Sequence, residues 1–232
     1  MNLRLNPTFL LLILAALSAS AFAADASVLK PPPGAKVAIV MFEDLECPDC
    51  ASAYPVVWDA ANAHKIPVVL HDFPLPRHNW SFEAAIWARY FDTKDTSTQK
   101  IGNEFRRYIF ANQRQITKEN LQLWVQKFGD ENKIPIPFAN DPDGKLAEKV
   151  KADYALGQRI GVEHTPTIWV VGNGGVSQPF VEEVKDRAQL SQMIDDMLAK
   201  AKPATPAKGP ATKAIKKSSS HSATKKSNQG AK

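Results

Sequence analysis

The sequence predicts an α/β domain interrupted by a helical insertion. Three observations carry this. An apolar, β-branched run at Lys36–Phe42 feeds directly into a helical segment, and a long helical stretch follows a second strand. Strand-like runs then return at Thr167–Val171 and Pro179–Val184, ahead of a last amphipathic helix. The order is β-α-β, helical insertion, α-β-β-α, and helix-flanked strands at both ends indicate one α/β unit rather than separate all-α and all-β domains. With 232 residues and 44% apolar composition, the chain is long enough for one elaborated domain with a substantial core.

Residues 1–23 carry Arg4, an apolar run from Phe9 to Leu17 and the small-x-small triplet Ala21-Phe22-Ala23, the pattern of a signal peptide cut after Ala23. The run is shorter than the roughly 20 residues that cross a bilayer. A Pro-rich lead, residues 24–35, precedes the first strand. Ala51 to Ala63 then has helical spacing at Tyr54, Val57, Trp58 and Ala61, and Pro48 suits the first turn of that helix, where its missing N–H would go unused. Ile66–Asp72 reads as a second strand closed by Pro74 and Pro76.

The insertion spans about residues 77–141. Ser81 and Thr117 are the expected N-caps of two of its helices, with a third from Thr98 to Phe110 between them. Trp80, Trp87, Phe105, Tyr108, Trp124 and Phe128 read first as helix core. Gly129, Pro135 and Pro137 end the series before a long helix from about Asp143 to Arg159. The two late strands form a hairpin across Gly172–Gly175, and a final helix from Arg187 to Lys200 puts Leu190, Ile194, Met197 and Leu198 on one face.

Charge is divided unevenly along the chain. Nine lysines and no acid lie between Lys200 and Lys232, which leaves the folded body with 19 basic side chains against 24 acidic ones once Arg4 departs. An acidic body argues against nucleic-acid binding. Residues 201–232 hold too little apolar surface to offset their ordering entropy and are expected to be disordered, a solvated tail or a weak adhesive for anionic lipid or polymer.

Only two cysteines exist, Cys47 and Cys50, and a signal peptide would place them where disulfides persist. A pair closing so short a loop stabilises little and serves exchange chemistry better. Strand, Cys47-Pro48-Asp49-Cys50, then helix puts Cys47 at a helix N-terminus, where free N–H groups and the macrodipole lower a thiol pKa and make a nucleophile. Cys50, one turn further in, is expected to be more buried and to resolve a mixed disulfide formed at Cys47. The alternative, half of a metal site, lacks a second ligand pair.

Three blocks now resemble, in order, the DsbA-like thiol-disulfide oxidoreductases, which have a thioredoxin-like fold: Phe42-Glu-Asp-Leu-Glu-Cys-Pro-Asp-Cys50, then Asp72-Phe-Pro-Leu75 with His78, then Gly161-Val-Glu-His-Thr-Pro-Thr-Ile168. The resemblance covers about residues 36–200, insertion included. It implies that Pro166 is a cis-proline opposite the dithiol, that the Thr165 backbone offers itself to a substrate strand, and that Thr165, Pro48 and Asp49 face the substrate. It also implies a monomer needing no cofactor, since the sulfurs carry the electrons. Reduced or unfolded exported proteins in the periplasm or cell envelope would be the substrates. A membrane oxidase of the DsbB or vitamin-K-reductase-like type would be the redox partner.

Asp49 departs from the oxidase pattern. A carboxylate between the cysteines opposes a thiolate, so the Cys47 pKa is expected above the value of about 3.5 that marks the strongest oxidant of this kind. Asp44 is a candidate proton relay to Cys50 and His164 a candidate proton carrier beside Pro166; capping or surface roles are the alternatives. His71 and His78 show no ligand spacing and read as structural. Two other functions stay open: a reductase or isomerase kept reduced by a membrane donor, and a non-catalytic holdase or adhesion module.

Overall fold

The computed structural model describes residues 25–95, 99–174 and 180–201. The expected signal peptide, residues 202–232 of the expected tail, Thr98 and Pro179 lie outside the described residues.

Among the described residues four strands form one sheet in the order β2-β1-β3-β4, where β1 is Val37–Glu43, β2 Val68–Asp72, β3 Thr167–Gly172 and β4 Phe180–Glu183. β1 runs parallel to β2 and antiparallel to β3, and β4 pairs antiparallel with β3. Every residue of β1 is buried, as expected for a central strand covered on both faces. Its side chains alternate between two cores. Val37, Ile39 and Met41 join the larger one, with Ile168 and Val170 of β3. Ala38, Val40 and Phe42 join the smaller, with Phe73, Ile160, Val162, Trp169 and Val171.

Among the described residues six α-helices surround the sheet: α1 Pro48–His64, α2 Ser81–Asp92, α3 Lys100–Asn112, α4 Leu121–Glu131, α5 Lys145–Arg159 and α6 Leu190–Lys200. α1 (Ala53, Tyr54, Val57) and α6 (Leu190, Ile194, Met197) cover the larger core, and α2, α3 and α4 extend it through Trp87, Phe91, Phe105 and Phe128. α5 lies on the other face. Gly157 permits this approach: a Cβ there would stand 2.5 Å from Phe73 Cε2. α5 then ends at Gly161, whose φ is +82°. Val162 N–H donates to Gly157 O (2.9 Å) and Gly161 N–H to Gln158 O (3.2 Å), the paired bonds of a Schellman cap. This stop frees residues 162–166 to turn toward the start of α1.

Helix starts depart from expectation by a few residues, and at one of them the cap residue's N–H is held by a partner distant in sequence. Ser81 is the first helical residue rather than the cap, and its hydroxyl is buried without a hydrogen bond. Trp80 is the N-cap, and its N–H donates to Glu46 Oε2 (2.9 Å). Thr117 opens a separate turn ahead of α4; Asn120 is the cap position, and its Oδ1 accepts from Thr117 N–H (2.8 Å). α5 begins at Lys145, its Leu146 and Ala147 N–H groups donating to the Asp141 carboxylate (2.9 and 2.8 Å). The last helix is preceded by a 3-10 turn, Arg187–Gln189, in which Asp186 accepts from Ala188 N–H (2.9 Å).

Candidate active site

The end of β1 delivers the chain to Cys47, the N-cap of α1, and Pro48 occupies the first helical position. Both cysteines are free thiols. Cys47 keeps 5% of its surface exposed and Cys50 none. Three segments converge here. Cys47 Sγ–H donates to the Thr165 carbonyl (3.3 Å), and the Thr165–Pro166 peptide is cis. From the insertion, Gln113 Nε2 donates to the carbonyls of Leu45 (2.8 Å) and Cys47 (3.1 Å), clasping the turn that carries the dithiol.

The two sulfurs ionise very differently. Donation from the Cys50 thiol is the chief influence on Cys47; burial opposes it, while the Thr165 hydroxyl and the N–H groups of Cys50 and Asp49 assist. The result is a Cys47 pKa lowered from 9.0 to about 5. The Thr165 hydroxyl is buried and has no hydrogen-bond partner in the dithiol form. It is therefore available to an anion when Cys47 gives up the proton it shares with the Thr165 carbonyl. Burial first, then the neighbouring Cys47, pushes Cys50 well above the ordinary thiol range. One sulfur is a thiolate at neutral pH and the other a thiol beneath it, the division that stepwise exchange needs.

The other expected site residues are placed less simply. Asp44 does meet Cys50, but through its backbone, whose N–H donates to Cys50 Sγ (3.4 Å). Its buried carboxylate accepts instead from Glu46 N–H (2.8 Å), Leu75 N–H (2.7 Å) and His78 Nδ1 (2.6 Å). It thus organises the loop, with His78 as its partner, and the expected carboxylate relay has no direct contact with the sulfur. The His164 ring is exposed, and the residue's contact in the loop is its carbonyl, which accepts from Thr167 Oγ1 (2.7 Å). Asp49 is exposed but paired: its Oδ1 lies 2.5 Å from Arg187 Nη2. The Cys47 pKa of about 5 stands above the oxidant value of about 3.5. The leading influences on it are local donors and burial, with Asp49 acting through its N–H.

Sequence reasoning missed Gln113 and Arg187, which sit far from the cysteines in the chain and in no recognisable pattern. It also missed the environment of Glu43, at the end of β1. Glu43 is buried, with Arg106 Nε 3.0 Å from its Oε1 but outside hydrogen-bonding geometry. Burial outweighs the guanidinium and raises the Glu43 pKa to about 8. Arg106 also holds Asp92 through two nitrogens (3.1 and 3.3 Å) and lies 3.6 Å from Asp72. Asp72 and Asp153 are further paired with Arg89.

A thioredoxin family model matches residues 32–196. The chain belongs to the thioredoxin family. No curated protein matches it significantly. Among solved structures, α-DsbA1 of Wolbachia pipientis shares the fold with a TM-score of 0.59 and 18% identity, over 74% of this chain and 90% of that one. DsbA2 of Pseudomonas aeruginosa follows at 0.53 and 18%, over 72% and 91%. A periplasmic thioredoxin-like protein from Salmonella enterica serovar Typhimurium aligns at 0.54 and 17%, over 81% and 97%. Membership of this family together with the Cys47–Cys50 pair makes the chain a thiol-disulfide oxidoreductase of thioredoxin-like fold.

Proposed function

We propose that this thioredoxin-family protein works as an oxidase, donating a Cys47–Cys50 disulfide to reduced proteins in the cell envelope. The observation that carries this reading is the asymmetry of the two thiols, Cys47 held near 5 and Cys50 pushed well above 9.0. A Cys47 thiolate that is stable in the reduced form favours its release, and so favours passing the disulfide on. A substrate thiolate attacks Cys47 Sγ, the Cys47–Cys50 bond breaks, and Cys50 leaves and takes up a proton. A second substrate thiolate then attacks the substrate sulfur of the mixed disulfide and releases Cys47 as thiolate. The substrate is oxidised by two electrons to a disulfide, and the Cys47–Cys50 disulfide is reduced by two to the dithiol. The Thr165–Pro166 segment beside Cys47 is where an extended substrate segment would pair during the exchange.

Export rests on the residue 1–23 pattern and on the periplasmic origin of one structural neighbour. Among the described residues no helix is long and apolar enough to cross a membrane. Reoxidation would fall to a membrane oxidase of the quinone-linked type. The test is oxidative refolding of a reduced protein, run beside insulin reduction. Cys47→Ser is expected to reduce both to background, and unchanged activity would leave only a binding role. Direction is read from the redox state of the pair in cells: mostly disulfide fits an oxidase, mostly dithiol a reductase or isomerase.

A further inference from the structure

We infer that Arg187 is a positioning residue for the dithiol: by pairing with Asp49 it prevents the carboxylate between the two cysteines from opposing the Cys47 thiolate, and so sets how oxidising the couple is. The inference rests on the thiol-disulfide reading and adds to it a residue 140 positions from Cys47.

The contact has two points. Arg187 Nη2 reaches Asp49 Oδ1 at 2.5 Å, and Nη1 donates to the Asp49 carbonyl at 3.4 Å, so the guanidinium grips both side chain and backbone in the first turn of α1. Its own footing is firm. Asp186 caps the turn that carries it, and Val184 N–H donates to Ile168 O (2.8 Å), tying this connection to the strand that starts directly after Pro166. The Thr165–Pro166 loop therefore meets Cys47 at its sulfur, and the turn bearing Arg187 meets the same helix start two residues on, at Asp49.

Stability does not explain the pair. Both side chains are partly exposed, Asp49 at 57% and Arg187 at 33%, and exposed ion pairs contribute little to folding. Its electrostatic consequence is more specific. A lone carboxylate two residues from a thiolate raises that thiol's pKa, and a guanidinium on the carboxylate cancels most of this field. Asp49 then adds its N–H to the thiolate without adding its charge. Lysine would not reproduce the contact, because a single ammonium cannot hold oxygen and carbonyl in one planar fork.

The test uses the full chain and four variants: Arg187→Gln, Arg187→Lys, Asp49→Asn and the Arg187→Gln/Asp49→Asn double variant. Thiolate absorbance against pH gives the Cys47 midpoint, and equilibration with glutathione gives the redox constant. Arg187→Gln should raise the midpoint by about half a unit to one unit, and raise the constant for oxidation by glutathione disulfide about three- to tenfold. Arg187→Lys should recover less than half of that shift. In the Asp49→Asn background the same Arg187→Gln change should move the constant less than about twofold. No shift on Arg187→Gln overturns the inference, and so does an equal shift in both backgrounds, which would mean that Arg187 acts on the sulfur directly or through the fold. If the parent Cys47 titrates as an ordinary thiol, or its pair does not equilibrate with glutathione, the thiol-disulfide reading itself fails, whatever Arg187 does.

Discussion

Cys47 and Glu43 lie four residues apart, one past the end of β1 and the other at its last position, and they handle buried charge in opposite ways. Cys47 is surrounded by dipoles: a thiol, a hydroxyl and two N–H groups stabilise its anion. Glu43 faces a guanidinium within a cluster where Arg106 and Arg89 hold Asp72, Asp92 and Asp153. Dipoles lower a pKa while leaving the sulfur's reactive lone pairs without an ion-pair partner. Arginines lock carboxylates into a scaffold, here the one joining β1 and β2 to α2, α3 and α5. The same short stretch of chain thus ends in a reactive anion above and a structural ionic cluster below.

The largest effect that tests this contrast is removal of the scaffold's central cation. Arg106→Met leaves Glu43, Asp72 and Asp92 without it and should cost about 3–5 kcal/mol in urea unfolding of the oxidised protein. Parent-like stability would show that the cluster is not structural. Opposite responses to pH come next. Because the fold raises Glu43 from 4.5 to about 8, its contribution is full below pH 4.5 and is lost as pH climbs through 8. Because the fold lowers Cys47 from 9.0 to about 5, the reduced form's contribution is full above pH 9 and is lost as pH falls toward 5. Urea unfolding between pH 5 and 9 should therefore show the reduced form gaining on the oxidised form as pH rises. Glu43→Gln should remove the alkaline loss in both, and an unchanged profile would place the Glu43 proton elsewhere. The smallest effect belongs to the link between insertion and dithiol. Gln113→Ala deletes two hydrogen bonds to carbonyls and should cost about 1–2 kcal/mol, read from the same unfolding curves. No loss would make the clasp incidental.

The same contrast separates what was legible in the sequence from what was not. The β1 run, Pro48 at the first position of α1 and the two cysteines around it are written in neighbouring residues, since helix entry depends on groups within one turn of each other. Pro166 was legible through a resemblance, carried by the block around Thr165. The Asp49 carboxylate is visible too, and taken alone its charge opposes the Cys47 thiolate; Arg187, which pairs with it, is not visible from the sequence. Proximity to Cys50 makes Asp44 a candidate relay or a capping carboxylate without deciding between them, and its carboxylate is committed to Leu75, Glu46 and His78. Ser81 has the composition of a cap, and Glu46 of the active-site loop bonds the Trp80 N–H instead.

By itself the sequence determined the order of strands and helices, the position of a dithiol at a helix N-terminus, and which of its sulfurs faces outward. These follow from periodicity and from groups covalently close together. Only the tertiary structure decided which neighbour each polar group meets: Arg187 for Asp49, Arg106 for Glu43, His78 for Asp44, and Gln113 for the carbonyls of Leu45 and Cys47. The physical reason is range. Backbone preference and side-chain periodicity act within a turn or two of chain, whereas buried polar groups are satisfied by whatever packing brings within about 3 Å, however distant it is in sequence.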